Sequence, residues 1–227
     1  MIIGTGMIAK AFSSYENNND IIVFAKGVSN SQETNKANFD RESNALKEVL
    51  ANHKTKTIIY FGTCSINDPD NKDSFYVKHK LQMEELIKNS ELKYYIFRLP
   101  QVVGTTNSPT LIKYLSTKIR ENSEFNIWKH SKRNLIDIED VYKVVNYLIS
   151  HKYLKNNITN IASRNSTSII TIVQRIEKAM NKKARYTLMD VGSSYEIDIS
   201  NVEKYFDTVG VHFDKNYLDN ILTKYIK

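Results

Sequence analysis

The stretch IIGTGMIAKAF, residues Ile2–Phe12, joins a short apolar run to a helical pattern through two closely spaced glycines. Gly4, Gly6 and Ala9 fit the spacing G-x-G-x-x-A, in which glycine lets the backbone turn tightly and approach a ligand. Such a turn presents backbone N–H groups and a helix N-terminus to an anionic group such as a dinucleotide pyrophosphate. Because tight βα turns without a ligand use the same spacing, both interpretations stay open on this stretch alone.

Beyond this turn, apolar runs alternate with helical patterns, which is typical of an α/β fold with a parallel sheet. The run TIIYFG is apolar throughout, as a strand buried on both faces of a sheet requires. We therefore predict a Rossmann-like, doubly wound parallel sheet with a small C-terminal α/β portion. The predicted strands of the sheet are 1–3, 20–25, 57–62 and 94–100, and the predicted helices between them are 7–15, 33–51 and 74–87.

The second half of the chain carries further periodic patterns. The segment DIEDVYKVVNYLI begins with a predicted capping box of Asp137 with Asp140, followed by an apolar stripe at helical spacing. The other predicted elements are helices at 109–120, 166–180 and 214–226 and a strand at 157–162.

The composition is that of an ordinary globular protein, with 41% hydrophobic and 25% charged residues among 227. No apolar run approaches the roughly 18 residues that a membrane-spanning helix needs. The N-terminus lacks the basic segment of a signal peptide. The single cysteine, Cys64, excludes an internal disulfide and a multi-cysteine metal site. We therefore expect a cytoplasmic protein with no membrane partner and no bound metal.

The formal net charge of +7 raises the question of a nucleic-acid partner. The lysines are scattered and mostly lie among acidic residues, as in IRENSEFNIWKHSKR at 119–133. The only tight basic run is NKKAR at 181–185, which follows a predicted helix. We expect no nucleic-acid partner, since a positive field of this size equally suits an anionic small molecule such as a nucleotide diphosphate.

The segment SFYVKHKLQMEELI places Tyr76 and Lys80 four residues apart at the start of a helix. A tyrosine has a pKa near 10 and is a poor base at neutral pH, but an ammonium one helical turn away stabilises its phenolate. The pair shares its helix face with Met83 and Ile87, so both side chains are predicted to face the protein. The preceding strand ends in Thr63, at the edge where parallel sheets bind ligands.

A second pair, Tyr114 with Lys118, repeats this spacing. The spacing alone is therefore uninformative in a chain with 14 tyrosines. Because no strand ending in a hydroxyl residue precedes it, we predict this second pair to be an exposed helix pair. Three other residues are given structural roles in preference to functional ones: His79 on the flank of its helix instead of a catalyst, Cys64 as a small buried residue instead of a nucleophile, and Trp128 in the core instead of stacked on a base.

Five segments match one known family in the right order. IIGTGMIAKAF is similar to its first βα turn, with Ala9 in place of the last glycine, and DIIVFAKGVSNS is similar to its D-x-V-I-H-L-A-A strand. NFDRESNAL is similar to N-x-x-G-T-x-N-x-L, with Arg41 and Glu42 in place of Gly-Thr. YFGTCSI with YVKHK, and RLPQVVG with RNLIDIEDV, complete the match. The chain thus resembles the extended short-chain dehydrogenase/reductase family, the NAD-dependent epimerases and dehydratases of nucleotide sugars.

The same alignment shows a departure. In the family two further strands and a helix separate the glycine turn from the D-x-V-I-H strand, whereas Gly4 to Asp20 has room for one helix only. We prefer a shortened sheet that lacks the wall of the adenosine half. In the opposite interpretation 21–25 is the usual second strand, and Lys26 meets the 2′-phosphate of NADP. The choice between NAD and NADP stays open, and Asp20 is not assigned to the ribose because it precedes its strand.

The resemblance implies roles for individual residues. Tyr76 is the implied base or acid, Lys80 its electrostatic partner and ribose ligand, and Thr63 the hydroxyl that orients the reacting oxygen. Gln101 and Arg133 are hypothesised to contact substrate, the guanidinium gripping a diphosphate. The implied cofactor-binding residues are Gly4, Gly6, Met7, Ile8, Ala25, Lys26, Gly27, Tyr76, Lys80 and Leu99.

The implied function is an NAD(P)-dependent epimerase or ketoreductase acting on a nucleotide-diphosphate sugar, in surface-polysaccharide sugar biosynthesis. Cys64 and Ser65 stand where the family's 4,6-dehydratases carry an Asp-Glu pair, which argues against dehydration. The alternative is a catalytically silent protein that binds a nucleotide sugar or cofactor. We expect one domain over 1–227, with a nucleotide-binding core over 1–105 and 134–162 and a substrate-binding portion over 106–133 and 163–227; the family also implies a homodimer.

Overall fold

The computed structural model describes residues 1–226, which form ten strands and eight helices with short 3₁₀ turns between some of them. The first half contains β1 (Ile2–Ile3), α1 (Met7–Ala11), β2 (Ile21–Phe24), α2 (Lys36–Asn52), β3 (Thr57–Thr63), α3 (Phe75–Lys88), β4 (Lys93–Leu99) and β5 (Gln101–Val103). The second half contains α4 (Leu111–Arg120), β6 (Glu124–Trp128), β7 (Lys132–Asp137), α5 (Ile138–Ser150), β8 (Ile158–Asn160), β9 (Ser166–Ser168), α6 (Ile169–Met180), β10 (Arg185–Met189), α7 (Glu203–Phe206) and α8 (Tyr217–Tyr225).

The main sheet has the strand order β1-β2-β3-β4-β8, and every pair in it is parallel. Successive residues of β3 point to opposite faces: Ile58 and Tyr60 pack with the buried side chains of α2 and α3, and Ile59 and Phe61 with those of α5. Helices therefore cover both faces of the sheet, which confirms the predicted doubly wound α/β fold.

The sheet ends at β1. Its only neighbour is β2, and among residues 1–226 no strand pairs with its other side. In a Rossmann sheet of order 3-2-1-4-5-6, a strand between the first strand and the strand ending in Thr63 is the fourth, not the second. The position of β2 thus supports the shortened interpretation, in which Asp20 opens the D-x-V-I-H strand and the strands that usually follow the glycine turn are missing.

The C-terminal portion is built on two small sheets. One has the order β5-β7-β9, parallel in its first pair and antiparallel in its second, and the other pairs β6 with β10 in parallel. A separate core of apolar side chains from α4, α6 and α8 packs against them. The proposed division of the chain into a nucleotide-binding core and a substrate-binding portion stays a prediction.

Three local expectations were wrong. The first helix ends at Ala11 instead of Tyr15, and the chain continues as a 3₁₀ turn. Asp137 caps α5 through the Glu139 N–H at 2.9 Å, but Asp140 does not complete a capping box. The Tyr217 hydroxyl intervenes: it accepts from the Asp137 N–H at 3.0 Å and donates to Asp140 at 2.8 Å. Trp128, expected in the core, is 44% exposed.

Candidate active site

Thr63 is the last residue of β3 and lies opposite Leu99, the last residue of β4. It is buried, and its Oγ1 accepts a hydrogen bond from the Ser65 N–H at 3.1 Å, which begins the 3₁₀ turn 64–67. Because the hydroxyl uses its oxygen for this bond, its O–H remains able to donate. The strand ends where ligands bind in parallel sheets, so this donor lies at the edge predicted from the sequence.

Tyr76 and Lys80 lie on α3, which starts cleanly because the Ser74 hydroxyl accepts from the Val77 N–H at 3.2 Å. Tyr76 is in the first turn and partly buried, and Lys80 is only 3% exposed. The Lys80 Nζ lies 5.9 Å from the centre of the Tyr76 ring. The predicted inward orientation of Lys80 is therefore confirmed, and the two side chains are neighbours.

The buried ammonium of Lys80 meets a buried carboxylate. Lys80 Nζ donates to Glu42 Oε1 at 3.0 Å and to the Tyr60 hydroxyl at 3.3 Å, and Glu42 is fully buried. The Tyr60 hydroxyl donates to the same Glu42 oxygen at 2.8 Å. Three elements, α2, β3 and α3, thus converge on one ion pair, as a buried charge requires.

The second carboxylate oxygen of Glu42 is also occupied. It accepts from the Val28 N–H at 2.6 Å, and His79 Nε2 lies 3.1 Å from it. His79, predicted on the flank of its helix, is buried there with its ring 4.8 Å from that of Phe39 on α2. Burial opposes ionisation of Glu42, but the Lys80 ammonium and the donated hydrogen bonds outweigh it and lower its pKa to about 2.

The loop after β2 lies directly against this ion pair. A Cβ atom added to Gly27 would lie 2.6 Å from Lys80 Nζ, so only a glycine lets the backbone approach the ammonium this closely. Ala25 is anchored to the first strand through its N–H, which donates to the Ile3 carbonyl at 2.7 Å. Of the predicted cofactor-lining residues Ala25, Lys26 and Gly27, it is Gly27 that lies against Lys80.

Gly4 and Gly6 of the glycine turn have different surroundings. Gly4 has φ +129°, and a Cβ there would lie 2.4 Å from the Ala25 carbonyl oxygen, so the packing of β1 against β2 itself requires glycine. Gly6 precedes α1, and a Cβ there would have no atom within 4 Å. Met7 and Ile8 follow it, partly buried. The turn leaves open space beside Gly6, where the sequence predicts a pyrophosphate.

A second ion pair, which was not predicted from the sequence, lies next to the first. Arg98 donates twice to Glu84, at 2.9 Å from Nε to Oε1 and at 2.6 Å from Nη2 to Oε2. A Cβ on Gly62 would lie 2.5 Å from Glu84 Oε1. The available signal was the position of Glu84 on α3, one helical turn beyond Lys80 and on the same face.

Arg133 is brought to the loop that follows Thr63. Its side chain is largely buried, with Nη2 3.9 Å from Asp68 Oδ2 and Nη1 donating to the Lys132 carbonyl at 2.8 Å. Gln101 lies on the neighbouring strand, in register with Leu135. The two predicted substrate residues thus share one small sheet beside the end of β3, and only Arg133 reaches the loop through a described contact.

The segment 190–199, for which no role was predicted from the sequence, contacts the loop that follows β3. The Ser193 N–H donates to Asp70 Oδ2 at 2.9 Å. Burial, with the nearby Asp68 carboxylate, raises the pKa of Tyr195 to about 12, and hydrogen bonding to Ser65 and the Arg133 charge oppose this. Tyr195 therefore stays protonated at neutral pH beside Arg133, as a hydrogen-bonding group at the edge of the site.

Cys64 is buried, as expected, and its Sγ donates to the Arg98 carbonyl at 3.3 Å. Burial raises the pKa of this thiol to about 12, with Arg98 opposing and Glu84 reinforcing the effect. A protonated thiol is a poor nucleophile, so Cys64 carries no covalent chemistry at neutral pH.

In the described part of the chain, no cluster of three or more His, Cys, Asp or Glu side chains could hold a metal ion.

Three further findings concern the helices and the likeness of the sequence to known proteins. None of the helices formed by residues 1–226 is long and apolar enough to cross a membrane. The family model described as "NAD dependent epimerase/dehydratase family" matches residues 20–162, which is more than half of the chain. No curated protein sequence matches significantly.

Solved structures share the fold. The UDP-N-acetylglucosamine 4-epimerase from Methanobrevibacter ruminantium, in complex with UDP-N-acetylmuramic acid, superposes with a TM-score of 0.68 at 19% identity over 90% of this chain and 74% of its own. The UDP-glucuronic acid 4-epimerase from Bacillus cereus, in complex with its substrate and NAD, gives 0.70 at 18% identity over 93% and 75%. RMD from Pseudomonas aeruginosa, complexed with NADPH, gives 0.72 at 12% identity over 98% and 96%. At these identities the likeness establishes the fold.

Proposed function

Because the chain belongs to the NAD-dependent epimerase/dehydratase family, we propose that it is an NAD(P)-dependent epimerase or ketoreductase of a nucleotide-diphosphate sugar. One observation carries this proposal: Thr63 ends the central strand at the ligand-binding edge, and Lys80 is buried beside Tyr76 on the next helix. Similar structures hold UDP-sugars with NAD, or NADPH, which supports the same ligand classes here. We also propose a role in surface-polysaccharide sugar biosynthesis, which uses substrates of that class.

The residues fit part of a dinucleotide. Gly6 leaves open space at the start of α1 for a pyrophosphate, and Gly27 brings the loop after β2 against Lys80, where a nicotinamide ribose would lie. The adenosine side differs, since β1 is the edge of the sheet and no strand beyond it provides a wall. The proposed cofactor site therefore holds the pyrophosphate and the nicotinamide end, and binds the adenosine loosely.

The chemistry assigned to the chain is acid–base catalysis at one hydroxyl of the sugar. When bound, the nicotinamide cofactor takes up and returns the hydride. The Tyr76 hydroxyl takes the proton from the sugar oxygen, or returns it, with Lys80 beside it on α3. The Thr63 O–H, free to donate, orients the sugar oxygen towards Tyr76. Arg133 and Tyr195 lie where they would hold the diphosphate and the sugar.

The test is turnover. Purified protein is incubated with NAD or NADP and UDP- or dTDP-sugars, and the products are followed by proton NMR. An epimerase gives product without net reduction of the cofactor. A ketoreductase, in contrast, consumes NADPH when it is given a keto-sugar. Thr63→Val, which removes only the hydroxyl, is expected to lower turnover about 10- to 100-fold. Thr55→Val, at an exposed position, serves as the control with unchanged turnover.

The second candidate function, a catalytically silent binding protein, is favoured by the missing wall at β1. It predicts that nucleotide sugar binds, measured by calorimetry, while every sugar and cofactor combination is left unchanged. Binding of sugar nucleotide without turnover, equal for wild type and Thr63→Val, would replace the enzyme proposal. Turnover that depends on Thr63 would reject the silent protein.

A further inference from the structure

Glu42 is a charged residue of the site to which the chemistry above gives no role. Glu42 stands where the family pattern N-x-x-G-T has threonine, and it is the most deeply buried carboxylate of the site at 0% exposure. Its two oxygens accept hydrogen bonds from Lys80, from the Tyr60 hydroxyl and from the N–H of Val28, and His79 Nε2 lies 3.1 Å from the second oxygen. A carboxylate at this position therefore pairs directly with Lys80, the neighbour of Tyr76.

We propose that Glu42 is a positioning residue that fixes the Lys80 ammonium beside Tyr76 and compensates its charge, so that Tyr76 faces a neutral ion pair instead of a free cation. This inference rests on the proposed function only in giving Tyr76 an acid–base role. It concerns the state of the Tyr76 phenol, which exists with or without turnover.

The geometry supports both parts of this role. An ammonium has three donors, and the bonds to Glu42 and Tyr60 use two of them at 3.0 and 3.3 Å. Gly27 closes the side facing the loop after β2. The ammonium is thereby held at one place, with Nζ 5.9 Å from the centre of the Tyr76 ring.

The charges around Lys80 come from several elements. Glu42 of α2, Tyr60 of β3 and Tyr76 of its own helix face the ammonium. His79 lies at the far oxygen of Glu42, and Glu84, which also acts on Tyr60, is itself paired with Arg98. Burial and the Glu42 carboxylate hold the pKa of Tyr60 well above its usual range, so Tyr60 remains a neutral donor when other tyrosines titrate.

The consequence is measurable without any substrate. Protein labelled with ¹³C at Cζ of tyrosine is titrated from about pH 8 to about pH 12.5, where imidazoles are neutral. The Tyr76 signal is assigned by its loss in Tyr76→Phe, and its titration midpoint is compared in three proteins: wild type, Lys80→Gln, and the double variant Glu42→Gln/Lys80→Gln. If the pair is neutral, removing both charges leaves the midpoint within about half a pH unit of wild type. Removing Lys80 alone exposes Tyr76 to the carboxylate and raises the midpoint by about one pH unit or more.

Two results would overturn the proposal. A double variant whose Tyr76 titrates about one pH unit above wild type would show that Lys80 acts as an uncompensated cation. A single and a double variant with equal midpoints would show that Glu42 only braces the loop after β2. If Lys80→Gln fails to fold, the comparison of wild type with the double variant, which buries no net charge, still decides. Absence of turnover in all three proteins would count against the proposed function and leave this measurement unaffected.

Discussion

Two Tyr-x-x-x-Lys pairs in this chain have the same spacing and the same distance from the Lys Nζ to the ring centre, 5.9 Å in each. Tyr114 is 47% exposed, and its ring packs edge-on against Phe125. Beside Tyr76, by contrast, Lys80 is buried. It donates to Glu42, 38 residues away in sequence, and to the Tyr60 hydroxyl, 20 residues away. The helical repeat therefore sets the geometry within each pair, and distant residues decide which pair has a chemical environment.

The largest difference between the two pairs is expected in catalysis. Tyr76→Phe keeps the ring and removes the acid–base hydroxyl, so turnover should fall by roughly 100- to 10,000-fold. Tyr114→Phe is the matched control and should retain the wild-type rate. Initial rates with the best nucleotide sugar measure both. Equal rates for the two variants would remove the chemical distinction between the pairs.

The second largest difference is expected in the free energy of unfolding when the lysine of each pair is replaced. Lys80→Met leaves the Glu42 carboxylate buried without its counter-charge, and we expect the free energy of unfolding to drop by about 3–5 kcal/mol. Lys118→Met, at a partly exposed position, should change it by less than about 0.5 kcal/mol. Urea denaturation followed by circular dichroism gives both values. A loss below about 1 kcal/mol for Lys80→Met would contradict the buried ion pair.

Of the two pairs, only Tyr76 with Lys80 should make the free energy of unfolding depend on pH in the acid range, because only Lys80 is paired with a buried carboxylate. The pKa of Glu42 is lowered from 4.5 to about 2 in the folded protein, with burial opposing and Lys80 and the hydrogen bonds driving the shift. A lowered folded-state pKa contributes stability that is fully present above about pH 4.5 and is lost as pH falls towards 2. Urea midpoints measured from pH 6 to 2.5 should therefore fall more steeply for wild type than for Glu42→Gln. Parallel curves would show that Glu42 titrates alike in the folded and unfolded chain.

The smallest contrast concerns one hydroxyl. Tyr60→Phe removes a donor from Glu42 and an acceptor from Lys80 but leaves both charges paired, so a loss of roughly 1–3 kcal/mol in unfolding free energy is expected. The same change at the exposed Tyr114 should be neutral. Thermal melts of both variants measure the difference, and a stabilised Tyr60→Phe would mean that the hydroxyl is poorly accommodated.

Much of the fold could be predicted because its signals are local. Buried parallel strands are continuously apolar, and the helices between them have clear stripes. The shortened sheet was inferred by counting the residues between Gly4 and Asp20. The short strands of the C-terminal portion were missed because they are held by partners far away in sequence, such as Lys132 with Ser168 and Glu124 with Arg185.

The candidate site was predictable to a smaller extent. Thr63, Tyr76 and Lys80 follow a recognisable order, whereas nothing local shows which acidic residue is buried beside them. A signal for Glu42 did exist, since it falls four and seven residues before Leu46 and Val49 on the apolar stripe of α2. A charged residue in such a stripe indicates a buried partner, and a lysine on the facing helix was the available candidate.

The two glycines beneath the ion pairs bear on how such a site evolves. Gly27 lies under Glu42–Lys80 and Gly62 under Glu84–Arg98, and in each case a single added methyl group would collide with an ion-pairing atom, at 2.6 and 2.5 Å. An added methyl group at Gly27 or Gly62 would therefore force the Lys80 ammonium or the Glu84 carboxylate to move. Substitutions at these glycines and at their ion pairs are expected to be non-additive: a larger residue at Gly27 should cost less once Lys80 no longer occupies the space above it.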